Sequence, residues 1–501
     1  MAKSAIPPAA ESNRLKPHSV GVLGIVFFVV AAAAPLAATL GTAPITFGAI
    51  GVGAPGAYLV GAIVLLIWAV GYARMSRFVT SSAGFAAYIE RGLGRVPGFG
   101  AATLAVLAYN LMLMGIYGAF GFFTQALVAE RLGIDLPWPV WTFAAIILVG
   151  VLGYLDINLS AKVLGVLMVS EVSLLILFDI VVPVQGGAAG VTLEAFAPAN
   201  VFAGAFGVAI LFAAGSFVGF EATAIYGEEA REPRKTIPKA TYVAVAFIGV
   251  FYAVTMWAIG LSYKPGEVQD AALADPAGFV LSSNTAFVGQ WSTDILAVLV
   301  VTSYFATLVA FHNTISRYMY SLGRGGVFPT ALSRTHARWQ SPHVASIVVT
   351  VISLIVVGAF AFAGADPFFV MFAWLTGLGS VGVFSLMAAT ALSAIIFFRR
   401  NPASGNLWTT FGAPLLGGLG VATIVVLALS NWALLTGATD GVGVLLPWIL
   451  LIAILAGVAL AFFRRGSVQS ITAGFEDIPA SASAALVSGA VPPPAREDES
   501  P

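Results

Sequence analysis

Apolar and polar residues follow one another along this chain in long blocks. Twelve apolar blocks are long enough for helices that cross a bilayer, since such a helix needs about 20 residues to span a hydrocarbon core of ~30 Å. The pattern therefore predicts an all-α polytopic membrane protein with about twelve transmembrane helices. The predicted spans are 20–41, 45–73, 100–129, 138–155, 160–183, 201–227, 240–262, 292–322, 343–363, 368–398, 412–436 and 444–463.

The first and the sixth spans are interrupted at comparable depth. Residues 34–36 contain Pro35, which lacks a backbone N–H and kinks a helix, and residues 215–219 begin and end with glycine. Non-helical backbone is tolerated at membrane depth only where protein or a water-filled cavity covers it. Paired interruptions in two halves of a chain are the sequence feature that best indicates a transporter's binding site.

The first ten spans can be divided into two groups of five, each opened by an interrupted span. Because five is odd, a second group with the same fold must enter the membrane from the opposite side, which makes an inverted repeat. Residues 19–400 are predicted to form the transport core, and residues 401–466 two peripheral helices. Residues 1–18 and 467–501 have the composition of disordered tails.

Composition and charge narrow the class of protein. The chain is 59% hydrophobic and 9% charged, whereas a soluble domain carries roughly 25% charged residues, so a water-soluble fold is excluded. The net charge of zero gives no field that would attract nucleic acid.

One side of the predicted topology carries only Arg131 and Lys264 of the 23 lysines and arginines, which predicts a multi-pass protein of the cytoplasmic membrane with both termini inside. The chain has no cysteine, and no cofactor or metal site is predicted.

The most specific motif is the run FAAGSFVGFEATAIYGEEAREPRKTIPKA at residues 212–240. This run resembles the amino acid-polyamine-organocation (APC) superfamily of permeases, and residues 77–98 and 316–342 are similar to two further loops of that family. The resemblance implies a LeuT-type five-plus-five inverted repeat with two broken helices, and uptake or exchange of amino acids or related amines by alternating access. Many relatives carry glycines at the first break, where this chain has Pro35, Leu36 and Ala37.

The predicted substrate-binding residues surround the two breaks, where free amides and carbonyls can hold a zwitterion. A merely kinked first span, glycines that only permit close helix packing, and an interhelical hydrogen bond from Asn110 are the structural alternatives. The predicted residues are Ala34, Pro35, Leu36, Ala37, Asn110, Gly215, Ser216, Phe217, Val218, Gly219 and Glu221.

Acidic residues inside apolar spans are costly and usually functional. Glu171, near mid-membrane, occupies the place where sodium-independent relatives often have a lysine; its carboxylate could bind a proton, attract a cation or be a buried hydrogen-bond partner. Glu221 could bind substrate amine, relay a proton or cap the second half of the sixth span. Asp179 is expected in a solvated position at the outer rim.

Hydroxyl groups in the eighth span form a possible cation site, although serine and threonine often bond to their own helix instead. The residues of this possible site are Thr302, Ser303 and Thr307.

These observations predict secondary active transport of amino acids, either proton-coupled or by exchange. The alternative is sodium-coupled symport of an amine or polyamine. A membrane-embedded enzyme would need a group of polar catalytic residues, and an ion channel would need a repeated selectivity filter. Neither pattern is visible in the sequence, so we expect no enzyme. The expected partners are a small-molecule substrate, the lipid bilayer, and a proton or sodium ion.

Overall fold

The computed structural model describes residues 21–79, 83–155, 157–221, 223, 230–401, 406–437 and 441–464. The predicted tails, 1–18 and 467–501, lie outside these residues. The helices, in chain order, are α1 (Val22–Ala33), α2 (Pro35–Ile50), α3 (Ala54–Met75), α4 (Gly84–Leu93), α5 (Arg95–Leu132), α6 (Trp138–Leu155), α7 (Ile157–Val184), α8 (Pro198–Val201), α9 (Phe206–Gly215), α10 (Pro233–Leu261), α11 (Val268–Ala274), α12 (Phe279–Phe287), α13 (Gln290–Arg324), α14 (His343–Phe362), α15 (Ala373–Arg400), α16 (Ala413–Ser430), α17 (Trp432–Thr436), α18 (Gly441–Leu445) and α19 (Trp448–Phe463).

The helices follow the predicted spans, with one marked difference at a proline. Within the described residues, nine helical segments are long and apolar enough to cross a membrane, and α9 and α19 are shorter apolar helices. The predicted end of the first span at residue 41 is wrong, because α2 continues through Pro44 to Ile50. A 3₁₀ turn, Gly51–Gly53, then leads directly into α3.

The first span is broken where the sequence predicts it. Helix α1 ends at Ala33, Ala34 has the left-handed angles φ 44° and ψ 76°, and α2 begins at Pro35. A left-handed conformation costs an L-residue other than glycine roughly 1–2 kcal/mol. Pro35 adds no unpaired donor at the first helical position, where it is well tolerated.

The sixth span is interrupted as well. Helix α9 ends at Gly215, residues 216–219 form turns, and Gly219 has φ 120°, which glycine adopts without strain. The predicted span continues to residue 227, but residues 222 and 224–229 lie outside the described residues.

The two breaks meet at the centre of a helix bundle. Helix α2 packs against α9, and α3 packs against both α9 and α10. The long helices α5 and α13 pack against each other, and α13 also contacts α1, α2 and α7. Helix α16 lies against α3 and α15, and α19 lies against α5.

Helices α6, α7 and α14 present much of their apolar surface outward. Only 28%, 22% and 28% of their most apolar windows is buried, against 83% for α5. An apolar helix with an exposed apolar face is suited to contact with lipid.

The left-handed conformation of Ala34 generates a stability prediction. We expect Ala34→Gly to leave the free energy of unfolding unchanged or to raise it by up to ~1 kcal/mol, because glycine adopts this conformation without a penalty. The matched change Ala38→Gly, in the interior of α2, should lower the same quantity by about 1 kcal/mol. Reversible unfolding in detergent measures both values, and equal destabilisation by the two variants would show that Ala34 is helical.

Candidate functional site

A cavity of about 70 Å³ lies between the two broken spans. Its wall is mostly apolar, with hydroxyl groups of Thr42, Ser216, Thr307, Thr376 and Ser380. Among the described residues, none with a charged side chain lines it. The lining residues are Ala33, Ala34, Ala37, Ala38, Thr42, Met112, Ile116, Phe212, Gly215, Ser216, Val218, Tyr304, Thr307, Phe311, Phe372, Thr376 and Ser380.

Side chains from two neighbouring helices replace the helical hydrogen bond that the first break removes. In an uninterrupted helix the amide of Ala37 would donate to the carbonyl of Ala33. Here the Ala37 amide donates to Ser303 Oγ at 3.2 Å, and the Ala33 carbonyl accepts from the Tyr252 hydroxyl at 2.8 Å. The broken backbone is therefore satisfied by α13 on one side and by α10 on the other.

Tyr304, the residue after Ser303, bonds the carbonyl of the same residue, Ala37. Its hydroxyl donates to the Ala37 carbonyl at 3.0 Å. This contact requires Gly41 on α2, because a Cβ atom there would lie 2.5 Å from the Tyr304 hydroxyl oxygen and 3.0 Å from the Phe372 ring. Helix α2 is thus held directly against α13.

Glu171 of α7 completes the junction around the first break. Its carboxylate accepts from the Ser303 hydroxyl at 2.7 Å and interacts with the Leu36 backbone amide, and the residue is 2% exposed. The N-terminal amides of α2 carry a partial positive charge, which stabilises a nearby carboxylate. One acidic side chain therefore links α7, α13 and the beginning of α2.

A cluster of hydroxyl groups joins the second break to the first. Ser216 Oγ donates to the Phe212 carbonyl at 2.9 Å and lies 3.2 Å from Thr42 Oγ1. The Thr42 hydroxyl also bonds to the Tyr58 hydroxyl of α3. Because Thr42 and Ser216 both line the cavity, this cluster supplies polar contact points in an otherwise apolar wall.

Glu221 lies beyond the second break and outside the cavity lining. Its carboxylate accepts from the Tyr109 hydroxyl at 2.6 Å and from the Gly219 amide at 2.9 Å. The Tyr72 hydroxyl donates to the Glu221 backbone carbonyl. The carboxylate therefore satisfies one amide of the interrupted backbone, that of Gly219.

The structure brings some of the predicted site residues to the cavity and places others behind it. The cavity-lining residues among them are Ala34, Ala37, Gly215, Ser216, Val218 and Thr307. The residues outside the lining are Pro35, Leu36, Asn110, Glu171, Phe217, Gly219, Glu221, Thr302 and Ser303.

Three predicted polar residues bond to their own helices. Asn110 Nδ2 donates to the Val106 carbonyl at 2.7 Å, and its buried Oδ1 has no hydrogen-bond partner within the part of the chain that the structure describes. The hydroxyls of Thr302 and Thr307 donate to carbonyls of α13 at 2.9 and 2.8 Å. These contacts match the alternative of own-helix bonding for the two threonines, whereas the Asn110 bond lies within α5 and is not the interhelical bond of its alternative.

Asp179 differs from its expected solvated position. Its Oδ2 accepts from Thr255 of α10 at 2.7 Å, and its Oδ1 is buried with no hydrogen-bond partner among the described residues.

Sequence reasoning missed the tyrosines that hold the first break. Tyr252 and Tyr304 lie in apolar spans, where a buried hydroxyl group needs a hydrogen-bond partner. That requirement was the sequence feature that could have indicated their role. The sequence does not say which carbonyl each hydroxyl reaches. Phe372 and Ser380 were also missed. Phe372 lies in the segment before α15 and Ser380 in α15, and the sequence shows no helix break in either element.

An aromatic layer separates the cavity from a larger hollow of about 500 Å³ beside α2 and α11. Phe372 lines the cavity and stacks on Phe368, with ring centroids 5.2 Å apart, and Phe368 lines the larger hollow. Both belong to a π-helical segment, Pro367–Phe372, whose first amides are capped by Asp366. Short π-helical segments often occur at functional sites.

Comparisons with known proteins agree with this architecture. The chain is 25% identical over 393 residues to the branched-chain amino acid permease BcaP of Bacillus subtilis, covering 74% of this chain and 79% of that one. It is 24% identical over 395 residues to the low-affinity putrescine importer PlaP of Escherichia coli strain K12, covering 74% and 80%.

A solved structure shares the fold at low sequence identity. The crystal structure of the Eremococcus coleocola manganese transporter in complex with an aromatic bis-isothiourea substituted compound superposes with a TM-score of 0.56. The identity is 13%, and the match covers 88% of this chain and 94% of that one. The predicted LeuT-type transporter fold is confirmed, and the protein is a multi-pass membrane protein.

The family model described as amino acid permease matches residues 20–460, which is most of the chain. The predicted relationship to the APC superfamily is thereby confirmed. This chain belongs to the amino acid permease family.

Proposed function

We propose that this protein is a secondary active transporter that carries a small amino acid through the cavity between its two broken spans by alternating access. The observation that carries the proposal is the position of that cavity, which is bounded by Ala34 on one break and by Ser216 on the other. Binding sites of transporters with broken helices lie at such junctions. We place the protein in the cytoplasmic membrane with both termini inside, because basic residues are concentrated on one side of the bundle.

The cavity wall favours an amino acid with an apolar side chain. Met112, Ile116, Phe311 and Phe372 contribute apolar surface, and the polar contacts are hydroxyls. A diamine such as putrescine would bring two ammonium groups, and among the described residues no carboxylate lines the cavity to pair with either. Burial of an unpaired charge is strongly unfavourable, whereas a zwitterion carries no net charge and can be held by the hydroxyl groups of the cavity wall.

Alternation between two open states requires contacts that can break and re-form. The Ser303 and Tyr304 bonds to Ala37 join α2 to α13. The Tyr109 bond to Glu221 joins α5 to the second break in the same way. Movement of the broken spans relative to α5 and α13 would exchange these bonds for bonds to water in the opened path.

Proton coupling through Glu171 fits the junction better than sodium coupling. Its carboxylate accepts from the Ser303 hydroxyl and interacts with the Leu36 amide and electrostatically with Tyr252, and the next amide, that of Ala37, donates to Ser303. N–H donors repel a cation but stabilise a carboxylate. Protonation would remove the charge that attracts the beginning of α2 and would loosen α2 from α7 and α13.

The coupling proposal predicts the behaviour of Glu171→Gln. We expect uptake driven by a pH gradient to fall by about tenfold or more, the loss expected when one charge-assisted contact is removed. Exchange of internal for external substrate should persist, because exchange needs no net proton movement. Removal of sodium should change neither activity in the wild-type protein.

Reconstituted vesicles with imposed pH or sodium gradients measure these activities. Asp179→Asn, a change of the same kind on the same helix, is the matched control and should retain proton-driven uptake. Uptake that requires sodium, or an unchanged response of Glu171→Gln to the pH gradient, would contradict proton coupling.

The substrate proposal predicts which ligands stabilise the purified protein. Leucine, isoleucine or valine at about 100 times its dissociation constant should raise the free energy of unfolding by about 2.7 kcal/mol, because it binds only the folded state. Putrescine at the same concentration should give no shift. A thermal-shift titration checks both expectations, and stabilisation by putrescine alone would favour the amine alternative.

The break geometry predicts a specific effect of Tyr252→Phe. Loss of this hydroxyl leaves the Ala33 carbonyl without its side-chain donor, which should cost about 1–3 kcal/mol of stability and weaken substrate binding several-fold. Tyr263→Phe also removes a tyrosine bond to a carbonyl, that of Phe279, but at a residue outside the cavity lining. Binding assays should show weaker substrate affinity for Tyr252→Phe alone. Equal substrate affinity of Tyr252→Phe and Tyr263→Phe would contradict the role of Tyr252.

A further inference from the structure

A second cavity, of about 280 Å³, opens at the end of α3 that lies beside the beginning of α10. Its polar lining consists of two guanidinium groups, a phenol, an amide and a hydroxyl. These belong to Arg74, Arg77, Tyr242, Asn406 and Thr409. All five side chains can donate hydrogen bonds, and among the described residues no acidic side chain lines the cavity.

The charged groups of this cavity converge. Arg74 and Arg77 interact electrostatically with each other, and each also interacts with the Tyr242 hydroxyl. Two guanidinium groups and a phenol hydroxyl on one cavity wall offer several N–H and O–H donors to a single anion. Guanidinium pairs bind phosphate oxygens in bidentate geometry, so phosphate is the anion that suits the arrangement.

Lipid-facing surface adjoins the cavity on two sides. Leu407 and Trp408 are 77% and 51% exposed next to Asn406, and Phe247 and Val250 continue the exposed stripe of α10 that Tyr242 begins. A soluble anion would need none of this apolar surface. A phospholipid would place its headgroup in the cavity and its acyl chains along these residues.

Basic residues concentrate at the same end of the bundle, because α3, α13, α15 and α19 end there while α5 and α10 begin there. Such a surface attracts anionic lipids. The basic residues at this end, besides the two in the cavity, are Arg91, Arg95, Arg231, Arg234, Lys235, Lys239, Arg317, Arg324, Arg334, Arg338, Arg399, Arg400 and Arg464.

We propose that the Arg74–Arg77–Tyr242 cavity binds the phosphate of an anionic membrane lipid. The site bridges α3 and α10, which pack beside the broken spans, and the π-helical segment Trp408–Gly412 that precedes α16. A bound lipid therefore ties α3 and α10 to the more peripheral α16. This inference is independent of the transported substrate.

Lipid titration of the full-length protein in neutral detergent tests the proposal. Phosphatidylglycerol should raise the melting temperature and remain bound in native mass spectrometry, whereas phosphatidylcholine with the same acyl chains and inorganic phosphate should do neither. The double variant Arg74→Gln/Arg77→Gln should need about tenfold more phosphatidylglycerol for half-saturation. Arg334→Gln, which removes an exposed charge at the same end of the bundle, should bind as the wild type does.

Each of the following results would contradict the lipid site. Equal binding by the double variant and the wild type would overturn it, as would equal weakening by Arg334→Gln, which would indicate non-specific attraction. Stabilisation by inorganic phosphate as strong as that by the lipid would overturn the lipid as the phosphate source. If the double variant does not fold, Arg77→Gln and Tyr242→Phe, both at partly exposed positions, should each weaken phosphatidylglycerol binding several-fold, and unchanged binding by both would be equally decisive.

Discussion

A backbone polar group in the middle of a membrane must have a hydrogen-bond partner, and this constraint shapes the centre of the protein. The break at Ala34 separates the Ala33 carbonyl from the Ala37 amide, which would pair in a continuous helix. Tyr252 and Ser303 bond these two groups instead. The break can therefore persist only while α10 and α13 stay in place, and any movement of the broken span must exchange these partners.

The same junction joins a titratable group to the backbone. Ser303 donates to Glu171 and accepts from Ala37, so one hydroxyl relays between the carboxylate and the beginning of α2. The charge on Glu171 consequently acts on the helix that forms one wall of the cavity. Our coupling proposal follows from this connection: a proton taken up behind the cavity changes how firmly the cavity wall is held, without entering the cavity itself.

Sequence alone predicted the parts of this architecture that depend on local chemistry. Pro35 marked the first break because proline removes a donor, and the glycines at 215 and 219 marked the second. The boundary predicted at residue 41 was wrong because α2 accommodates the buried Pro44 within a packed helix. The hydrogen-bond partners of the first break could not be predicted, because Tyr252 and Ser303 are more than 200 residues from Ala33 and Ala37 in the sequence. Glu221 lies beside the second break, but the sequence does not reveal its contact with Tyr109, and the residue lies outside the cavity lining.

Substrate protection of a single thiol at Ser216 tests the central claim most directly, because the natural chain contains no cysteine. Ser216→Cys places a nearly isosteric thiol in the cavity wall, and Leu273→Cys places a thiol in the larger hollow beside α2 and α11. If the cavity between the breaks holds the substrate, a transported amino acid should slow labelling of the first thiol by a small methanethiosulfonate and leave the second unaffected. Labelling of Ser216→Cys at the same rate with and without saturating substrate would contradict the account.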